Sequence, residues 1–132
     1  MKILIDLFFI TIIIICLDNI YMYINKSKYE RQIIRVQKTS LQIKYLGVIL
    51  CYILLVLGLY YFIIRTHRPI SDAFLLGILI FGIYNTTNYT IIKNWDFQIV
   101  IQDSLWGGIL LTFTTFLMYN IKNLQNLHMP LY

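Results

Sequence analysis

Residues 45–64 read YLGVILCYILLVLGLYYFII, a run of 20 residues without a single charge. A helix needs about 20 apolar residues to cross a hydrocarbon core of roughly 30 Å. The apolar residues are continuous rather than alternating, which disfavours a strand of a membrane β-barrel. The run therefore predicts a membrane-spanning helix.

Three further apolar runs of similar length occur in the chain. Their only charged residues are Asp6, Asp18 and Asp103. No small-x-small cleavage site follows the first run, so we interpret it as a span rather than a signal peptide. The sequence predicts an all-α, polytopic membrane protein, a four-helix bundle in a single domain, residues 1–132. The three runs cover residues 3–24, 73–92 and 99–121.

The overall composition of the chain agrees with residence in a membrane. Apolar residues make up 59% of it and charged residues 13%, whereas a soluble domain is about a quarter charged. Its mean hydropathy is +0.71. Too little polar surface remains to coat a water-soluble globule, so membrane lipids are the expected surroundings.

Catalytic and metal-binding patterns do not occur in the sequence. His67 and His128 lie in a loop and in the tail, and no Cys/His spacing matches a metal site. There is no nucleophile elbow and no phosphate-cradling glycine loop. Membrane topology accounts for the net charge of +5 without a nucleic-acid partner. We therefore predict no enzymatic activity, no cofactor, no metal and no nucleic-acid binding.

Basic residues are unevenly divided between the two sides of the membrane. Four spans place both termini on one side, and the loops at 25–44 and 93–98 on the other. Those two loops carry seven of the 11 lysines and arginines, so the positive-inside rule predicts a cytoplasmic long loop and non-cytoplasmic termini. Six of the seven form a basic loop expected to contact lipid head groups or a protein partner: Lys26, Lys28, Arg31, Arg35, Lys38 and Lys44.

The long loop also contains an apolar pattern. Tyr29, Ile33, Val36 and Ile43 recur at three-, four- and seven-residue steps, with basic residues between them. One interpretation is a helix that lies in the membrane interface above anionic head groups. The other is a solvated basic loop whose apolar residues dock on the bundle. Periodicity alone leaves both open.

Several polar residues within the spans are predicted to form one cluster. With antiparallel neighbours at 1.5 Å per residue, they lie within about 10 Å of the face that carries the long loop. Asp6, near a span end, is expected to be an exposed terminal residue, and no similar group continues toward the other face. The predicted cluster consists of Asp18, Tyr52, Asn85, Asn88, Asp103 and Trp106.

Two roles for this cluster are compatible with the sequence. It can hold the helices in register, with each hydrogen bond worth about 0.6–2 kcal/mol. Alternatively, Asp18 and Asp103 can relay protons or cations, because an ionisable residue in a span indicates function by default. Because no similar group continues toward the other face to complete a proton or cation path, the structural role is favoured.

Glycines are expected to let the helices approach closely at Gly77, Gly82, Gly107 and Gly108.

Three short motifs carry a resemblance to a known family. They are Gly82-Ile-Tyr-Asn-Thr-Thr-Asn88, Lys93-Asn-Trp95 and Asp103-Ser-Leu-Trp-Gly107. These motifs resemble small predicted membrane proteins catalogued as domain-of-unknown-function family 2177, whose pattern reads Y-D-x-T-N, a basic residue and Trp, then D-x-x-W-G. Asn85 stands where that pattern has Asp.

The resemblance implies four spans and no established activity, in a family shared between bacteria and large nucleocytoplasmic DNA viruses. The skew toward Ile, Asn, Lys and Tyr, which have AT-rich codons, and the long basic loop look more like the viral branch. The implied setting is then a host-derived internal membrane of a virion. The leading hypothesis is a non-enzymatic protein with a structural or associative role, including self-association. The alternative is a small, oligomeric transporter or ion channel.

Overall fold

The computed structural model describes residues 2–128, and all regular structure within that range is helical. Four of the helices are long and apolar enough to cross a membrane. The predicted all-α architecture with four candidate spans is therefore confirmed. The helices are α1 (Lys2–Ile24), α2 (Lys26–Gln37), α3 (Tyr45–Leu59, continued by a π-helical turn at Tyr60–Ile64), α4 (Ile70–Ile91) and α5 (Phe97–His128).

Two helices extend more than one residue beyond the spans that the sequence pattern predicts. Helix α4 begins at Ile70 rather than at residue 73, directly after Pro69, which is the extended N-cap (φ −62°, ψ 153°). Asp72 lies in the first turn, where a negative charge is favourable. Helix α5 has 32 residues, or about 48 Å at 1.5 Å per residue. Since the hydrocarbon core is only about 30 Å thick, the C-terminal part of α5 reaches beyond it.

Helix α2 connects the first two spans. Tyr29, Ile33 and Val36 lie half-buried on one side of it, while Lys38 adopts a φ of 60° and ends the helix. Ile43 therefore lies outside the helix and is 54% exposed, so its assignment to the apolar stripe is wrong. The rest of the stripe faces the bundle.

Helix α5 occupies the centre of the bundle. Helix α4 packs along one side of it, while α1 and the end of α3 pack on the other. This arrangement buries a layer of apolar side chains midway between the two ends of the bundle. Fully buried members of the layer are Ile10, Ile14, Leu59, Leu110, Leu111 and Met118.

Glycines allow α4 and α5 to touch. A Cβ atom at Gly77 would overlap the backbone of Gly107 and Gly108, and one at Gly107 would overlap the Phe81 ring. A Cβ atom at Gly82 would lie 3.6 Å from Oγ of Ser104, which is an ordinary van der Waals distance. Close approach is thus required at three of the four predicted glycines, as is common between membrane helices.

Candidate functional site

Asp18 of α1 joins three spans at the end of the bundle nearest α2. Its Oδ2 accepts a hydrogen bond of 2.6 Å from the Tyr52 hydroxyl of α3. Its Oδ1 accepts one of 3.0 Å from Nε1 of Trp106 on α5. Both donors are neutral, so the carboxylate is held by hydrogen bonds rather than by an ion pair.

Asp103 of α5 joins a different set of helices. Its Oδ1 accepts a 2.8 Å hydrogen bond from the Tyr29 hydroxyl of α2, and its Oδ2 accepts one from Nδ2 of Asn85 on α4. One carboxylate therefore fastens α2 and α4 to the central helix.

Tyr21 links the two carboxylate groups. Its ring stacks on Trp106 with centroids 4.3 Å apart and planes 2° apart. Its hydroxyl lies 2.9 Å from the Tyr29 hydroxyl. Because Tyr29 donates its own proton to Asp103, Tyr21 is the donor to Tyr29. We call the connected set the carboxylate network, made of Asp18, Tyr21, Tyr29, Tyr52, Asn85, Gln102, Asp103 and Trp106.

Gln102 extends the carboxylate network toward the basic helix. Its Nε2 donates to the Tyr21 hydroxyl at 3.1 Å and to Oδ1 of Asn25 at 2.9 Å. Its Oε1 accepts a hydrogen bond from Nζ of Lys28. Gln102 thus holds the first turn of α2 in place.

The protonation state of Tyr29 follows from its surroundings. Burial, and then the negative charge of Asp103, raise the pKa of the Tyr29 hydroxyl well above its usual value. The hydroxyl therefore keeps its proton at every physiological pH and remains a donor to Asp103.

Asn85 is the most buried polar member of the carboxylate network, with 1% exposure. Its Nδ2 also donates to the carbonyl oxygen of Phe81 at 2.9 Å, which fixes the amide as a donor toward Asp103. No donor in the described part of the chain reaches its Oδ1. An Asp at this position would set two carboxylates in contact and force them to share a proton, which Asn85 avoids.

The structure brings together five of the six residues predicted for this cluster: Asp18, Tyr52, Asn85, Asp103 and Trp106. Asn88 is only half-buried, and between residues 2 and 126 its side chain forms no hydrogen bond with them. The prediction missed Tyr21, Tyr29 and Gln102. Tyr21 lies three residues after Asp18 and so on the same helical face, a spacing that the sequence does show.

The six residues of the basic loop differ in their surroundings. Lys28 is bound to Gln102, as described above. Lys26 lies 3.7 Å from Glu30, and Arg35 lies 3.8 Å from Asp96, and all four side chains are at least 30% exposed. Two more cations, Arg31 and Lys38, are exposed, as is Lys44 at the start of α3.

The opposite end of the bundle holds a buried ion pair. Oδ2 of Asp6 lies 2.8 Å from Nζ of Lys122, and the two side chains are only 10% and 15% exposed. The expectation that Asp6 is an exposed terminal residue is therefore wrong. Helix α5 continues past its span, which brings Lys122 alongside the first turns of α1.

The apolar layer separates the two ends. Two buried hydroxyls within it, of Thr114 and Thr115, donate to the carbonyl oxygens of Leu110 and Leu111 in their own helix, at 2.7 and 2.8 Å. Across residues 2–126, no run of side-chain hydrogen bonds joins Asp18 to Asp6. In the described range there is also no group of three His, Cys, Asp or Glu side chains that could hold a metal ion.

Comparison with known proteins identifies the family. A family model described as a predicted membrane protein, domain-of-unknown-function family 2177, matches residues 3–120. No curated protein and no solved structure matches the chain significantly. The matched region includes α1 to α4, most of α5 and every residue of the carboxylate network. The chain therefore belongs to this family of membrane proteins, domain-of-unknown-function family 2177.

Proposed function

We propose that the protein is a non-enzymatic, multi-pass membrane protein with a structural or associative role. The four spans serve as an anchor, and α2 serves as the surface that contacts lipid head groups or a protein partner. The observation that carries the proposal is the hydrogen bond from Tyr29 to Asp103. It fastens α2 to the end of the bundle and thereby fixes which side of α2 faces away from it.

Charge supports α2 as a contact surface. A basic residue near an anionic membrane surface contributes about 1 kcal/mol of attraction. The nearby acidic partners of Lys26 and Arg35 form only exposed pairs, and such pairs are worth little in water. They leave the two cations available to an anionic surface. The exposed cations of α2 and its C-cap are Lys26, Arg31, Arg35 and Lys38.

The bonding within the carboxylate network supports a structural role over transport. Each carboxylate oxygen of Asp18 and Asp103 accepts a hydrogen bond from a fixed neutral donor. Neither carboxylate therefore has an unbonded oxygen with which to pass a proton or cation onward. A relay also needs groups that take up and release protons in turn, and Asn85 cannot do so. The apolar layer lies between the carboxylate network and the other end of the bundle.

A flux assay tests this choice. Proton and cation flux would be measured in proteoliposomes that contain the wild type, Asp18→Asn or Asp103→Asn, together with the stability of each protein in detergent. We expect no flux from any of them and lower stability of both variants. Flux in the wild type that either substitution abolishes would overturn the proposal.

A second experiment tests α2 as a contact surface. Nanodiscs that carry the protein would be floated with vesicles of phosphatidylserine and phosphatidylcholine, and with vesicles of phosphatidylcholine alone. We expect Arg31→Gln to weaken flotation with the anionic vesicles. The control Arg68→Gln removes the same charge from the opposite face. Equal loss in both variants would contradict a specific role for α2.

The orientation and setting belong to the same proposal. The excess of basic residues on the α2 side supports a cytoplasmic α2 and non-cytoplasmic termini. The composition and the basic loop, which resemble the viral branch of the family, support an internal membrane of a virion as the setting. In sealed, cytoplasmic-side-out vesicles, a membrane-impermeant maleimide is expected to label Ser40→Cys and not Thr66→Cys, each combined with Cys16→Ser and Cys51→Ser. The reverse pattern would refute the orientation.

One observation favours a transporter or channel as the second candidate. The Asp6–Lys122 pair places ionisable groups at the far end of the bundle as well, and intramembrane ionisable groups often mark ion pathways. Four helices enclose little space, so this candidate requires an oligomeric pore. The number of subunits per particle in detergent discriminates between the two candidate functions. A closed ring of subunits supports a pore, and a monomer argues against one.

A further inference from the structure

A cavity of about 540 Å³ opens at the end of the bundle opposite α2. Its walls come from the first turns of α1, the π-helical turn with the loop after it, and the C-terminal part of α5. Its volume lies within the range of about 300–1,000 Å³ that is usual for small-ligand sites. We call it the terminal cavity.

The walls of the terminal cavity carry an excess of positive charge. Lys2, Arg65 and Lys122 line it, and Asp6 is the only acidic residue that does so among the described residues. Asp6 lies within ion-pairing distance of Lys122. Neither Lys2 nor Arg65 forms an ion pair with any carboxylate of residues 2–126. Two lining cations are therefore without a negative partner in that part of the chain.

Lys122 can still serve the terminal cavity while it contacts Asp6. An ammonium group has three N–H donors, and the described contacts use one of them, toward Oδ2 of Asp6. The amide side chains of Asn123 and Gln125 also line the cavity and add neutral donors. Lysine, arginine and amide donors together suit a ligand whose oxygens accept several hydrogen bonds and carry negative charge.

The depth of the terminal cavity indicates where such a ligand comes from. The cavity lies where α1 begins at Lys2 and where the second span ends at Ile64. Both positions mark the end of an apolar span, which is the level of the lipid head groups. A basic pocket at this level can bind the phosphate of a lipid head group through charge-assisted hydrogen bonds.

We propose that the terminal cavity binds an anionic phosphate group, supplied by the head group of a membrane lipid, with Lys2, Arg65 and Lys122 as its ligands. Asp6 positions Lys122 in the cavity wall. The site lies at the opposite end of the bundle from α2, so it does not rest on the function proposed above.

Native mass spectrometry of the purified full-length protein in detergent tests the site. The protein would be titrated with phosphatidylglycerol, with phosphatidylcholine and with inorganic phosphate. Arg65→Gln is the test variant, because Arg65 is exposed and its loss leaves the buried ion pair intact. Arg68→Gln is the matched control, because Arg68 lies on the same face but pairs with Asp72 at 3.3 Å and does not line the cavity.

We expect the wild type to retain phosphatidylglycerol in preference to phosphatidylcholine. Loss of one charge-assisted hydrogen bond should weaken that binding about tenfold in Arg65→Gln and leave it unchanged in Arg68→Gln. Lys2→Gln, which also spares the ion pair, should weaken it in the same way.

The other outcomes decide the source of the ligand or reject the site. Binding of inorganic phosphate that displaces phosphatidylglycerol, and that Arg65→Gln weakens, would keep the phosphate site and assign it a soluble ligand as well. Equal loss in Arg65→Gln and Arg68→Gln would show that general surface charge holds the lipid, and would overturn the proposal. Equal retention of the two lipids by the wild type would also overturn it.

Discussion

The two ends of the bundle hold their carboxylates in different ways. Near α2, Asp18 and Asp103 accept hydrogen bonds from neutral donors on several helices. At the other end, Asp6 faces a single cation, Lys122, beside a cavity. The first arrangement uses every oxygen to join helices, while the second leaves positive groups directed at an open space. This contrast suggests assembly at one end and ligand binding at the other.

The largest effect is expected from Lys122→Met. The substitution leaves Asp6 buried without its cation, which typically costs about 3–5 kcal/mol of unfolding free energy. Unfolding in mixed detergent micelles, followed by circular dichroism, measures the loss. The double variant Asp6→Asn/Lys122→Met should recover much of it, and Lys93→Met is the exposed control. A loss no larger than that of the control would contradict the burial of the ion pair within the protein.

The next largest effect is expected from Gly77→Ala, which acts on one end only. The new Cβ would overlap the backbone of Gly107 and push α4 away from α5, at a cost of about 3 kcal/mol. Since α4 carries Asn85 but lines no part of the terminal cavity, phosphatidylglycerol binding by the folded fraction should persist. Gly58→Ala, with no atom within 4 Å of the new Cβ, is the control. Loss of lipid binding by folded Gly77→Ala would show that the two ends are coupled.

Removal of the Asp103 carboxylate should have a smaller effect. Asp103→Leu removes the acceptor of Tyr29 and one of the two acceptors of Asn85, whose Nδ2 still donates to the carbonyl oxygen of Phe81. The loss should be about 2 kcal/mol, the worth of one hydrogen bond to a charged group. Asp103→Asn should lose less, because its oxygen can still accept from Tyr29. Detergent unfolding of both variants, with proteolysis of α2 as a local probe, tests this order. Equal loss in the two variants would indicate that the negative charge, rather than the acceptor atoms, holds α2.

The smallest effect is expected from Tyr52→Phe, which removes one donor from Asp18. Trp106 still binds the other carboxylate oxygen, so the loss should be about 1 kcal/mol. Tyr45→Phe, at an exposed position, is the control for the same unfolding measurement. A loss of stability as large as that for Asp103→Leu would mean that the two hydrogen bonds of Asp18 are coupled, so that their contributions to the unfolding free energy are not additive.

The residues of the carboxylate network were partly predictable because depth in a membrane follows from position along a span. The sequence predicts similar depths for Asp18, Asn85 and Asp103, and the structure joins them in one network through hydrogen bonds and the stacking of Tyr21 on Trp106. Asn88 shows the limit of this argument. It lies three residues after Asn85, and a helix rotates by about 100° per residue, so a side chain at the right depth can still face away from its partners.

The sequence by itself determined the number of spans, their helical form and the basic character of the loop between the first two. These properties depend on the length and polarity of continuous segments, and the bilayer acts on each segment alone. Only the tertiary structure decided that Asp6 meets Lys122, that Tyr21 links the two carboxylates, and that a basic cavity opens at the terminal end. Those contacts join residues far apart in the chain, and they depend on how far α5 extends beyond its span and how each helix is rotated against the next.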